Sequence, residues 1–184
     1  MAPAIAVIPS VTKISLAENQ LGEEGTEAIC QALQTNSTLK ELDLSGDGSS
    51  GFNIGGLAGA KHVADMLCAN ASVTSVNVLS NGLNVESADL LLTVKAEKPN
   101  LRTLCGLTHE ETELNLMGKG LGVGDAKLLA PEILVMGSVT LVSLLANQLD
   151  DAIVEILLKL KEEKPTLTTL CGLKPNQTEA NFSY

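Results

Sequence analysis

Few side chains in this sequence are of the kinds that make or break bonds, and their spacing limits what they can do. There are two histidines, His62 and His109, and four cysteines, Cys30, Cys68, Cys105 and Cys171. His109 opens the run HEETE, which lacks the second histidine of a zinc-protease helix. Gly46, Gly48 and Gly51 in GDGSSG have the letters of a dinucleotide-binding turn, but none of them opens the next helix, expected near Gly56, and no βαβ nucleotide unit surrounds them. Asp43, Ser45, Asp47 and Gly48 imitate the start of a calcium loop whose twelfth position is Ile54, where a bidentate glutamate is required. Lys61 in GGLAGAKH lacks both the preceding glycine and the following hydroxyl residue of a phosphate loop. Catalysis needs a nucleophile with its base, or paired carboxylates, converging on a pocket. The histidines fall on different units, and Glu41, Asp43 and Glu113 read as a solvated row. The expectation is a protein without catalytic residues, cofactor or metal ion.

The elements that carry these residues are set by repetition. Shifted by 66 residues the chain reads itself again: VTSVNVLSNGL at 73–83 lies over VTLVSLLANQL at 139–149, and KAEKPNLRTLCGL lies over KEEKPTLTTLCGL without a gap. Inside this long repeat is a unit of about 28 residues, opening with apolar side chains at places one, four, six and eleven and asparagine at place nine. Val11, Ile14, Leu16, Asn19 and Leu21 fit it, as do Val73, Val76, Val78, Asn81 and Leu83, and Val139, Val142, Leu144, Asn147 and Leu149. A short strand places alternate side chains on one face, so places four and six point inward and two, three, five and seven outward. The asparagine turns the chain out of the strand by bonding the backbone of its own turn and of the neighbouring coil. A helix follows, as in GEEGTEAICQALQ, where Ala28, Ile29, Ala32 and Leu33 share one face. Repeats on this scale stack on their neighbours as a solenoid.

The segment VTKISLAENQLGEEGTEAICQAL at 11–33 resembles the LxxLxLxxNxL strand and glycine-opened helix of ribonuclease-inhibitor-like leucine-rich repeats, and the resemblance covers essentially the whole chain. It implies an α/β fold, a right-handed βα horseshoe with a parallel sheet on the concave face and helices on the convex face. The expected organisation is one domain, 1–184. It divides into a partial repeat helix at 1–10 and units at 11–38, 39–72, 73–100, 101–110, 111–138, 139–166 and 167–184. The 39–72 unit carries an inserted loop at 46–55, expected to stand out from the rim. The units opening at Leu101 and Leu167 leave about ten residues before the next strand pattern, too few for a helix, so both are expected to return by a loop. Pro131, inside DAKLLAPEILV, is expected to interrupt or kink its helix. At the ends, MAPAIAVIPSVT at 1–12 is similar to LAPEILVMGSVT at 129–140, and TEANFSY matches the strand TELNLMG. Neither shows the polar cap of a free-standing array, so the expectation is either a slice of a longer array or open ends covered by a partner, through self-association or a larger assembly.

Composition bounds the rest. Hydrophobic residues make up 45% of the chain, with two Phe, one Tyr and no Trp, which describes an aliphatic core. A net charge of −10 argues against nucleic acid and anionic membrane as partners. No apolar run approaches the length of a membrane span, and the first ten residues lack the basic start of a signal peptide, so an intracellular, cytoplasmic setting is expected. The four Asn-x-Ser/Thr triplets, at Asn36, Asn70, Asn176 and Asn181, read as turns between helix and strand. Cys30 and Cys68 read as buried helix residues. Cys105 and Cys171 share strand place five at a separation of roughly 14 Å, three inter-strand steps, which is too far for a disulfide.

What remains is the outward surface of the strands. Lys13, Ser15, Lys40, Glu41, Asp43, Thr74, Asn77, Arg102, Cys105, Glu113, Asn115, Thr140, Ser143, Thr168 and Cys171 are expected to line it. Leu79, Met117, Leu141 and Leu145 are expected to form an apolar patch to one side. The expected function is recognition of a protein partner through this face, the alternative an accessory or spacer subunit docked through the ends of the array.

Overall fold

Three-residue strands alternate with helices of three to four turns in the computed structural model, which describes residues 10–48, 53–174 and 177–179. The strands are β1 (Lys13–Ser15), β2 (Glu41–Asp43), β3 (Ser75–Asn77), β4 (Glu113–Asn115) and β5 (Leu141–Ser143). The helices are α1 (Gly22–Leu33), α2 (Gly56–Ala69), α3 (Val85–Glu97), α4 (Val123–Val135) and α5 (Asp151–Glu163). The protein is α/β, with all named strands parallel and divided between two small sheets, β1-β2-β3 and β4-β5. In register, Ile14 faces Leu42, Leu42 faces Val76, and Leu114 faces Val142. Each sheet is extended by one bridged segment: Thr103 and Cys105 lie beside β3, and Thr169 and Cys171 beside β5. The helices pack in chain order, each on the next.

The alternation of side chains explains the single core. Leu42, Val76 and Val142 at place four and Leu44, Val78 and Leu144 at place six are all buried, joined by the inward faces of the helices. On α1 that face consists of Thr26, Ile29, Cys30 and Leu33; Ala28, expected to share it, is exposed. Residues at i, i+3, i+4 and i+7 define the face, and Ala28 falls just outside that arc. Truncating Leu144 to alanine removes a side chain that is 4% exposed and is expected to lower unfolding free energy by about 2 to 3 kcal/mol. A urea titration checks this through a lowered midpoint at unchanged slope.

Helix starts follow from local chemistry. The Asn84 side chain accepts from the Ser87 amide at 2.8 Å ahead of α3, and Asp150, 66 residues later, accepts from the Ile153 amide at 2.9 Å ahead of α5. Residues 98–112 join α3 to β4 without a helix. Pro131 does not interrupt α4, which runs through it to Val135. The proline is exposed, so water can meet the carbonyl that it leaves without a donor.

Of the inserted loop, residues 49–52, with Gly51, lie outside the described residues, and both of its described ends are held against the body. Gly48, at φ +73°, approaches the next coil so closely that a Cβ would meet the Lys119 carbonyl oxygen at 2.4 Å. Glycine is required there by packing. At the far end Asn53, 1% exposed, takes the turn role displaced six residues from place nine. Its carboxamide accepts from the Asn19 amide at 3.0 Å and donates to the Leu16 and Leu44 carbonyls at 2.8 and 3.1 Å.

Candidate functional site

The strand side is the one surface on which polar side chains recur in phase. Lys13, Ser15, Lys40, Arg102, Glu113, Asn115, Met117, Thr140 and Thr168 are exposed, and Glu41, Asp43, Thr74, Asn77, Leu145 and Cys171 are half-buried. Two of the expected lining residues are buried, Cys105 at 3% exposed and Ser143 at 9%, and so are two of the expected apolar patch, Leu79 at 6% and Leu141 at 8%. Leu79 and Cys105 line a hollow of about 250 Å³ with Leu116 and Lys119, at the junction of the two sheets, where the walls shield them. Ser143 is covered by the returning segment, since Gly172 comes so close that a Cβ there would lie 2.8 Å from the Ser143 side chain.

The exposed acids are matched within the chain. Lys13 Nζ lies 2.9 Å from Glu41, and Lys174 Nζ lies 2.9 Å from Glu113. Ser15 donates to Asp43 at 3.3 Å, and the other Asp43 oxygen accepts from the Ser45 hydroxyl at 2.8 Å. The Glu41 partnership raises the Lys13 ammonium pKa. Around Glu113, Asn115, Met117, Leu145 and Cys171 the surface opens into a groove of about 470 Å³. A hydrogen bond from Thr169 Oγ1, 3.1 Å away, pulls the Cys171 thiol pKa down. This mosaic of small paired charges, hydroxyls and a few aliphatic side chains can make distributed polar contacts.

A second cluster was not visible from spacing. At the sheet junction, α4 brings two carboxylates inward, Asp125 fully buried and Glu132 1% exposed. Asp125 accepts from the Ser80 amide at 2.9 Å and from the Gly122 amide at 2.9 Å; burial nevertheless raises its pKa. Glu132 accepts from Lys95 Nζ at 2.5 Å, Thr103 Oγ1 at 2.6 Å and the Leu104 amide at 2.7 Å. His109 Nε2 lies 3.5 Å from it. The short 101–110 unit has no helix of its own, so α4 packs directly on α3, and these carboxylates satisfy backbone donors that a regular neighbouring coil would otherwise meet. The sequence did hold a signal: Glu132 is a lone acid between Leu129 and Ile133 on an apolar helix face.

The four cysteines are unpaired. Cys30 is buried as expected and its pKa is pushed up to about 12, chiefly by desolvation. Cys68 is exposed on α2, because its position falls outside the face carrying Val63, Ala64 and Leu67. Desolvation also raises the Cys105 thiol. Asn36 and Asn70 are turn residues; buried Asn70 accepts from the Ser72 and Val73 amides at 2.8 and 2.9 Å. Asn176 and Asn181 lie outside the described residues. Among the described residues no helix is long and apolar enough to cross a membrane. Compared with known proteins, the chain matches no family model and no curated sequence.

Proposed function

We propose that this chain is a ribonuclease-inhibitor-like leucine-rich repeat arc, a right-handed horseshoe that binds a protein partner through its concave strand face and performs no catalysis. The parallel register supports the arc: Lys13 faces Glu41 and Glu113 faces Leu141, each pair one 28-residue unit apart. The observation that carries the binding role is the row of outward strand places, exposed or half-buried at Lys13, Ser15, Glu41, Asp43, Glu113 and Asn115, beside the 470 Å³ groove. The net charge of −10 favours a partner with basic groups over nucleic acid. A reduced, intracellular setting suits four free thiols.

The test uses the purified chain as bait, identifies the captured partner by cross-linking, and repeats the binding with both components purified. The double variant Asp43→Lys, Glu113→Lys is expected to bind at least tenfold more weakly. Because Asp43 also accepts from Ser45, a stability loss of about 1 kcal/mol accompanies the change, so a thermal melt is run beside the binding. Unchanged affinity in a folded double variant assigns recognition to another surface.

A further inference from the structure

Two acids hold the same place on the strand face and find their cations in different ways. Glu41 on β2 and Glu113 on β4 each precede a buried strand centre. Glu41 takes its lysine from the next strand: Lys13 stands directly opposite it in register, 2.9 Å away. Glu113 faces an aliphatic residue on the next strand, Leu141. Its lysine is Lys174, 61 residues along the chain, on the segment that returns past Cys171 along the other side of β5. The pair, at 2.9 Å, therefore crosses β5 as a strap.

The groove of about 470 Å³ lies beside this strap, whereas the hollow beside Glu41 is about 100 Å³. Its lining is largely aliphatic: Leu141 at 8% exposed, Leu145 and Leu173 half-buried, and Met117 at 44%. Such a lining favours a large aliphatic side chain, and the carboxylate on its rim favours a cation. The strap holds that carboxylate lightly. The side chains of Glu113 and Lys174 are 52% and 62% exposed, and an exposed pair contributes little, because water screens the charges and two long side chains are ordered to form it. Lysine also offers a point charge, whereas a guanidinium meets a carboxylate with two parallel donors.

We propose that Lys174 is an internal placeholder, and that the groove receives an extended segment of the partner protein carrying an arginine next to a large aliphatic residue. The arginine displaces Lys174 from Glu113, and the aliphatic side chain covers Leu141, Leu145 and Met117. The net charge of −10 favours the approach of a cationic segment. An acidic segment is disfavoured, since it would set a second carboxylate against Glu113. The inference rests on the strand-face reading and names what that face selects.

The probe is the acetylated, amidated tripeptide leucine-arginine-leucine, titrated into the intact chain and followed by NMR of methyl-labelled methionine. The Met117 methyl is expected to shift saturably, while those of buried Met66 and Met136 stay still. Glutamine in place of the arginine should weaken binding about fivefold, as should Glu113→Gln in the chain. Lys174→Met removes the competitor and is expected to tighten binding of the arginine peptide by about two- to fivefold. Lys159→Met, an equal change of charge at an exposed position on α5, should leave it unchanged, which separates release of the strap from a general change in potential. No saturable shift at Met117, equal binding of the glutamine peptide, or no gain in Lys174→Met over Lys159→Met overturns the proposal. The strand-face reading is tested apart from it. With the purified partner, lost binding in Asp43→Lys, Glu113→Lys but equal affinities for Lys174→Met and Lys159→Met keeps the face and removes the placeholder.

Discussion

Replacing Glu132 with alanine is expected to lower unfolding free energy by about 4 to 5 kcal/mol. The carboxylate is 1% exposed and its removal strands three donors at once: the Lys95 ammonium, the Thr103 hydroxyl and the Leu104 amide. Losing one partner of a buried ion pair leaves the other charge without compensation in a poorly solvated site. Lys95 is partly exposed and can turn toward water, but the Leu104 amide, in a fully buried residue, cannot. Glutamine keeps the shape and one acceptor oxygen, so Glu132→Gln should fall between wild type and alanine. Chemical denaturation measures the order, and hydrogen exchange localises it: the Leu104 amide should lose protection in Glu132→Ala before amides of β1 and β2. A Glu132→Ala variant within about 0.5 kcal/mol of wild type would show that the junction is held by something else.

This junction marks how far the sequence could be read. Strand centres and helix faces were legible because each depends on side chains a few residues apart, and periods of two and 3.6 appear directly in the letters. Ile14, Leu42, Val76, Leu114 and Val142 stand at the strand centres for that reason. The break between the sheets was not legible. It falls where Lys119 stands at place nine of the 111–138 unit and where the ten residues of 101–110 carry a strand segment without a helix. Each irregularity is visible singly; that α4 answers both with Asp125 and Glu132 is a fact of three-dimensional packing.

The candidate surface was legible to a similar depth. Alternation correctly sent Lys13, Glu41, Glu113 and Asn115 outward, since it fixes direction from the strand. It could not foresee what lies above an outward side chain. Leu79 and Cys105 are sheltered in the hollow at the sheet junction, and Ser143 lies under Gly172. Cys68 failed in the other direction, because a small thiol on a helix carries little information about which side it occupies.

Substituting Asn81 with leucine is expected to cost about 4 kcal/mol, whereas the same change at Asn19 should cost under about 1 kcal/mol, although both asparagines hold place nine. Asn81 is fully buried and spans two coils. Its side-chain nitrogen donates to the Leu44 and Val78 carbonyls, both at 2.9 Å, and its oxygen accepts from the Ile54 amide at 3.0 Å. Leucine keeps the branching but is larger, so the loss combines overpacking with polar groups left without partners in the core, the latter at about 1 to 3 kcal/mol each. Asn19 is exposed and, among the described residues, its side chain donates to the Ala17 carbonyl at 2.8 Å, a bond that water can replace. The bonds to the Leu44 carbonyl and from the Ile54 amide cross to the neighbouring coil, and the comparison sets them against the turn itself. Matched denaturation curves for the two variants decide the matter. Equal losses would mean that asparagine serves only its own turn, and that the coils are held together by aliphatic packing alone.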